Sequence, residues 1–216
     1  MTPQDIIKRI DHTLLSVTAT KEDYISLAEE ALEAHAASVC VAPAAVRFLK
    51  EKYGDNLRIT TVIGFPNGYN TTEIKVAETI DAIKNGADEV DMVVSVGKVK
   101  EGDFAYVLRE ISALRAAAKG KVLKVIIETC LLTEEEKIKL CEIVTAAGAD
   151  YIKTSTGFSK AGATIEDVLL FKEHIGKGVK IKAAGGIRTL EDAEKYIEAG
   201  ADRIGASAVI KGYLKK

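Results

Sequence analysis

A chain of 216 residues with 47% hydrophobic and 29% charged side chains has the length and balance of one folded domain with a full core. A net charge of −2 gives no general attraction to nucleic acid or to a membrane surface, and the absence of Trp argues against a base-stacking platform. No apolar run nears the roughly 20 residues that span a bilayer, no signal-peptide blocks open the chain, and Cys40, Cys130 and Cys141 suit reduced thiols, so a cytoplasmic protein is expected.

In chain order, Thr2 caps a short first helix with Pro3 at its first position and Asp5 three residues after the cap, and Ile6, Ile7 and Ile10 give it an apolar face that suits a plug at one end of the fold. Asp11–Leu15 is a short strand, and Thr20 with Asp23 opens a helix that runs to about His35. Strands are then predicted at Ser38–Val41, Arg58–Gly64, Glu89–Ser95, Val122–Glu128, Tyr151–Thr154, Lys180–Ala183 and Arg203–Gly205. Helices are predicted at Pro43–Tyr53, Thr72–Asn85, Phe104–Lys119, Glu134–Ala147, Ile165–Ile175, Leu190–Ala199 and Ala208–Leu214. Thr133, Thr164 and Thr189 each stand three residues before an acid at a helix start. Eight strand–helix units with no linker between them predict an α/β fold, a single-domain (β/α)8 TIM barrel over 1–216 with a short extra N-terminal helix. The alternative is an open doubly wound sheet, but its G-x-G-x-x-G turn is missing.

A repeat supports closure. Gly-Ala-Asp occurs at 86–88, 148–150 and 200–202, each time ending a helical stretch and preceding a β-branched run. Five residues on from each glycine stand Asp91, Lys153 and Gly205, and a degenerate copy at His35 points to Cys40. The preceding residues, Val90, Ile152, Ile204 and Val39, are apolar, so alternation turns the four indexed positions to the opposite face. They fall on strands two, four, six and eight, and alternate strands supply one interior layer of such a barrel.

Lys153 therefore points inward near the C-terminal mouth, where barrel enzymes keep their active sites. On the next strand Val179, Ile181 and Ala183 suit the helix side, which turns Lys182 inward as well. Neighbouring strands lie about 4.8 Å apart, and two ammonium groups about 5 Å apart repel by about 3 kcal/mol at an effective dielectric near 20. Repulsion and burial both favour a neutral, nucleophilic amine. A strand lysine is usually a solvated edge residue, but two inward lysines level with an aspartate are too costly to bury without use. Asp91 is read as their ion-pair partner, as a general acid/base, or as both. Lys124 and Glu128 on strand five either extend a polar interior or form a structural pair. Cys40 is read as a small core residue, since no histidine is placed to activate it. His12, His35 and His174 are isolated, so a protein-held metal is not expected.

Glycine loops make the other half of the site. Gly185-Gly186-Ile187-Arg188-Thr189 follows strand seven and Gly205-Ala206-Ser207-Ala208 opens the last helix, the usual phosphate seat of a barrel, to which Gly157 adds a backbone N–H. Arg188 is read as a phosphate contact or as a surface residue.

These residues also carry a family likeness. Glu89-Val90-Asp91-Met92-Val93, Tyr151-Ile152-Lys153-Thr154-Ser155-Thr156-Gly157-Phe158 and Lys182-Ala183-Ala184-Gly185-Gly186-Ile187-Arg188-Thr189 closely resemble deoxyribose-phosphate aldolase. Asp11-His12-Thr13-Leu14-Leu15 and Arg203-Ile204-Gly205-Ala206-Ser207 fit the same pattern, so the likeness runs nearly end to end. The resemblance implies a cofactor-free class I aldolase of deoxyribose phosphate catabolism, interconverting 2-deoxy-D-ribose 5-phosphate with acetaldehyde and D-glyceraldehyde 3-phosphate. It implies that Lys153 forms the Schiff base, that Lys182 lowers the Lys153 pKa and shares in proton transfer, and that Asp91 moves protons through water. It implies phosphate positions at Gly157, Gly185, Gly186, Gly205 and Ser207, and a homodimer or homotetramer. Asp11, Thr13, Cys40, Lys124 and Thr156 stand as secondary candidates. The rival readings are another Schiff-base barrel aldolase or transaldolase, and a non-catalytic sugar-phosphate binding protein.

Overall fold

The computed structural model describes residues 1–215. Helix α1 (Pro3–Ile7) precedes strand β1 (Ile10–Leu14), and its Thr2–Asp5 capping box forms as the sequence predicts. The chain continues through α2 (Lys21–Ala34), β2 (Ser38–Val41), α3 (Val46–Tyr53), β3 (Ile59–Ile63), α4 (Thr72–Lys84) and β4 (Glu89–Val93). Then follow α5 (Val96–Lys100), α6 (Phe104–Ala117), β5 (Val122–Ile126), α7 (Glu134–Ala146), β6 (Tyr151–Lys153), α8 (Ile165–His174), β7 (Lys180–Ala184), α9 (Leu190–Ala199), β8 (Arg203–Ala206) and α10 (Val209–Leu214). All eight strands are parallel, each pairs with the next, and β8 pairs with β1 to close the barrel. The open-sheet alternative is thereby excluded.

The structure departs from the predicted elements in a few places. The 95–102 stretch, predicted as strand end and loop, carries the extra helix α5. Pro43–Ala45 winds as a 3-10 turn before α3. Strand β5 ends at Ile126, so Glu128 lies beyond it with a left-handed backbone. Thr164 accepts the Asp167 N–H, but the Asp167 carboxylate turns to Lys137 at 2.7 Å instead of closing a reciprocal box.

The Gly-Ala-Asp repeat has a physical basis. Gly86, Gly148 and Gly200 all take positive φ where the chain leaves its helix, and His35 occupies the equivalent position at φ 57. The aspartate two residues on accepts a backbone N–H at the start of the preceding strand. Asp88 takes Ile59 at 3.1 Å, Asp150 takes Leu123 at 2.8 Å, and Asp202 takes Ile181 at 2.9 Å. The triplet thus stitches each helix exit to the bottom of the sheet. In the degenerate copy Ala37 makes only the backbone bond, to the Ile10 carbonyl.

Register confirms one closed interior layer. Lys153 pairs with Lys182 and Lys182 with Arg203, and Gly205 lies two residues further on. The same two-strand step leads from Gly205 through Asp11 and Ser38 to Cys40. It leads from Cys40 through Thr60 and Glu89 to Asp91, and from Asp91 through Lys124 and Tyr151 back to Lys153. Four steps of two residues give a stagger of eight, the value for an eight-stranded barrel of this type. Below that ring lie Asp11, Thr60, Lys124 and Lys182, and below those Ser38, Glu89, Tyr151 and Arg203. None of the twelve is Val, Ile or Leu, the side chains that usually fill such a barrel. The apolar core lies instead between sheet and helices, where Val39, Val90, Met92, Val125, Ile152, Ile181 and Ile204 are buried.

A second buried ion pair ties the helices to the mouth. Lys75 on α4 donates to Glu110 on α6 at 2.7 Å, to the Val93 carbonyl at 2.8 Å and to Ser95 at 3.3 Å. Both partners are fully buried. Burial lowers the Lys75 pKa while Glu110 opposes that shift. Lys75→Met strands the Glu110 carboxylate, and equilibrium urea unfolding is expected to show a loss of about 3–5 kcal/mol. Adding Glu110→Gln removes the orphaned charge and recovers part of that loss; an equally large loss in the double variant counts against the pair as its source.

Candidate active site

The barrel interior is an ion network centred on Asp91. Its Oδ2 accepts from Lys153 at 2.8 Å and from Lys182 at 2.7 Å, and its Oδ1 accepts from Lys124 at 2.7 Å. Sharing one oxygen keeps the Lys153 and Lys182 nitrogens within about 5.5 Å, the sum of those two distances. Lys182 also donates to Asp11 Oδ2, and Lys124 reaches Glu89 at 2.6 Å. Arg203 closes the lower end on Asp11 at 2.6 Å and on Glu89 at 3.3 Å. Lys124 and Glu128, the candidate pair on strand five, do not meet: Glu128 bonds to Thr156 instead.

The charges decide which amine is free. Lys124, Lys153, Lys182 and Arg203 face the three carboxylates of Asp11, Glu89 and Asp91. With every group ionised the interior carries one cation too many, and releasing one proton balances it. Burial opposes ionisation of Asp91, yet Lys124, Lys153 and Lys182 together hold its carboxyl well below the usual carboxylate range. For Lys182, burial is outweighed by Asp11 and Asp91, and its pKa rises. Lys124 rises for similar reasons, with Asp91 as its leading partner. Lys153 goes the other way: burial dominates, Asp91 opposes it, and Lys182 pushes further down. The predicted neighbour repulsion is therefore present, but it is subordinate to desolvation.

Of the cations in this network, only Lys153 borders the cavity at the barrel mouth. That cavity lies above it at the C-terminal end and measures about 510 Å3, a volume typical of small-molecule sites. Thr156 and Gly157 after β6, Gly185 and Gly186 after β7, Gly205 and Ser207 at the end of β8 and Thr13 on β1 line it in turn. Gly186 has φ 83 and a Cβ built there meets nothing within 4 Å, so its bare backbone faces free space. Gly185 has φ 90, and a Cβ there meets Gly162 Cα at 2.8 Å, which locks the two loops together.

Several candidates sit elsewhere. Arg188 is exposed and does not border the cavity; its backbone N–H reaches Asp192 at 3.4 Å. Cys40 is buried in the top layer with burial as the main cause of its raised pKa, which fits a core residue. Asp11 and Lys124 are buried beneath the layer that holds Lys153, Asp11 against Lys182 and Lys124 against Asp91. Thr13 donates to the Asp11 carbonyl at 2.8 Å. Sequence reasoning missed Ser38, Thr60, Glu89 and Arg203 as members of the network. The signal was available for three of them: counting three residues rather than five from each helix-ending residue reaches Ser38, Glu89 and Arg203. Among the described residues no group of three or more His, Cys, Asp or Glu is placed to hold a metal ion.

A closed parallel barrel whose single low-pKa interior amine opens on a mouth cavity defines an aldolase of the Schiff-base class. Comparison with known proteins agrees. The family model described as DeoC/LacD family aldolase matches residues 6–215, and the chain belongs to that family. It is 55% identical over 206 residues to the deoxyribose-phosphate aldolase of Clostridioides difficile (strain 630), covering 95% of this chain and 94% of that one. It is 54% identical over 211 residues to that of Streptococcus agalactiae serotype Ia, covering 98% and 95%. The solved deoxyribose phosphate aldolase of Aeropyrum pernix, described as tetrameric, superposes with a TM-score of 0.91 at 33% identity, covering 99% of this chain and 92% of that one.

Gly205 is the gap in the reactive layer, because a Cβ there meets Ala184 Cβ at 2.9 Å and Lys182 Cε at 3.3 Å. Gly205→Val is therefore expected to overpack the layer and cost about 1–3 kcal/mol in denaturant unfolding. A crystal structure of the variant is expected to show Lys182 displaced from Asp91.

Proposed function

We propose that this chain is a class I aldolase that reversibly cleaves 2-deoxy-D-ribose 5-phosphate into acetaldehyde and D-glyceraldehyde 3-phosphate. One observation carries the reading: of the interior cations, Lys153 alone borders the mouth cavity, and it is the barrel lysine whose pKa is depressed. The identity to relatives named for this reaction supports the substrate.

The chemistry follows from that amine. The Lys153 Nζ lone pair attacks the aldehyde carbon of the open-chain sugar, the carbonyl oxygen gains a proton, and loss of water leaves an iminium. The iminium draws in the electron pair of the C2–C3 bond as the C3 hydroxyl gives up its proton. D-glyceraldehyde 3-phosphate departs, and the resulting enamine takes a proton at C2. Water then adds to the iminium carbon and acetaldehyde leaves, restoring the amine. Asp91, held as an anion, serves as the acceptor end of the proton transfers, relayed by water. Lys182, held as a cation, lowers the Lys153 pKa and shares in those transfers. Asp11 and Lys124 fix Lys182 and Asp91 from below.

The phosphate is assigned to the glycine side of the cavity, with Gly157, Gly185, Gly186, Gly205 and Ser207 around it. Backbone N–H groups and a hydroxyl suit an anion, and Arg188 is left out of the seat because it lies away from the cavity. We read the chain as one domain over 1–216 that acts as a homodimer or homotetramer in the cytoplasm. A tetrameric relative supports the assembly, and among the described residues no helix is long and apolar enough to cross a membrane.

Borohydride reduction with acetaldehyde is expected to leave an adduct on Lys153, seen by mass spectrometry and abolished in Lys153→Ala. A sugar-phosphate binding protein without chemistry gives no adduct. A different Schiff-base aldolase gives an adduct with its own donor and fails to turn over 2-deoxy-D-ribose 5-phosphate. The pH–rate profile supplies a second test. Because only the neutral amine attacks, the rate rises as pH climbs through the Lys153 pKa. Lys182→Leu removes a group that lowers that pKa. Its rising limb is expected at higher pH, with at least a tenfold loss of turnover at neutral pH; an unmoved limb removes Lys182 from this role.

A further inference from the structure

Just past β5, Glu128 adopts a left-handed backbone, with φ 56 and ψ 65. Residues with a Cβ enter that region at a conformational cost and stay there when the surroundings hold them. The side chain is 3% exposed, and it belongs to none of the ion pairs among the described residues. Its compensation comes from one residue. The Thr156 backbone N–H donates to the two carboxylate oxygens at 3.2 and 3.3 Å, and Thr156 Oγ1 donates to Oε2 at 2.5 Å. The same hydroxyl oxygen accepts the Phe158 N–H at 3.1 Å. A carboxylate on one strand end therefore braces a three-residue turn on the next, with Gly157 at φ 85 in its middle.

The turn is also a partition. Thr156 and Phe158 border the cavity above Lys153 and, on their other side, a cavity of about 110 Å3 that contains Glu128. The Phe158 ring stands edge-on to Phe65, 5.3 Å away, which holds the outer end of the turn. Glu128 does not border the cavity above Lys153, so it is not a proton donor or acceptor for the reaction. Its reach into that cavity is through Thr156 and Gly157.

We propose that Glu128 is a positioning residue for the phosphate end of the substrate, fixing the 156–158 turn so that the Gly157 backbone stays open to the anion. This deepens the aldolase reading and rests on it. The left-handed backbone aims the carboxylate at Thr156, and the Thr156 hydroxyl passes the constraint to Phe158. A residue that merely stabilised the fold would weaken all substrates alike; a brace on the phosphate seat acts on the phosphorylated substrate in particular.

The test compares kcat/KM for 2-deoxy-D-ribose 5-phosphate with that for unphosphorylated 2-deoxy-D-ribose. In Glu128→Ala and in Thr156→Val the ratio is expected to fall at least tenfold, chiefly through a higher KM for the phosphorylated sugar. Glu128→Gln keeps an acceptor for Thr156 and is expected to retain most of the wild-type ratio. Acetaldehyde with borohydride is expected to label Lys153 in all three variants. If Glu128→Ala does not fold, Thr156→Val carries the same comparison with the carboxylate in place. An unchanged ratio, or a proportional loss on both sugars, overturns the proposal. A wild-type protein that acetaldehyde does not label overturns the aldolase reading and this one with it.

Discussion

One carboxylate organises this protein. Asp91 accepts hydrogen bonds from three ammonium groups, one from each of the next three strands, and it is fully buried. Taking such ions out of water is costly and is offset only when every charge finds partners. Here the partners come from Asp11, Glu89 and Arg203 in the layers below, side chains that do not border the mouth cavity. Those partners hold the pKa of two cations up within reach of a third amine whose pKa burial pushes down.

The division of labour follows from height in the barrel. Lys124 and Lys182 sit one layer down, each between carboxylates, and their protons are held. Lys153 is on the top layer with one carboxylate partner and the cavity above it. The same side chain two residues earlier on its strand would occupy the place of Tyr151, inside the ion network and closed to substrate. Position along the strand, not residue type, separates the amine that borders the cavity from the cations held beneath it.

Much of this was legible in the sequence because strand periodicity and helix caps are local. The Gly-Ala-Asp triplets gave the register of β4, β6 and β8, and alternation gave the inward face of Lys182. What stayed hidden was set across strands. Glu89 and Arg203 look like ordinary charged residues at strand starts until barrel closure brings them together at 3.3 Å. Arg188 follows two glycines in a promising motif, but it is Ile187 before it that turns in to the cavity, and the Arg188 side chain is left exposed. Glu128 fitted the alternation of strand five, and the chain leaves the sheet before reaching it. Lys75 and Glu110 sit on helices whose pattern alone gives no reason to expect a wholly buried pair.

The ion network also orders events in time. Asp11, near the start of the chain, pairs with Lys182 and Arg203, which lie 171 and 192 residues later. A ribosome delivers the first strand long before either cation exists, and contacts between distant parts of a chain form slowly. Until the last strands arrive, one edge of β1 stays unpaired and its acid has only Lys124, 3.8 Å away, as a counterion. The nascent barrel must stay open and wet on that side, so the step that expels water from the interior is also the step that completes the catalytic charge set.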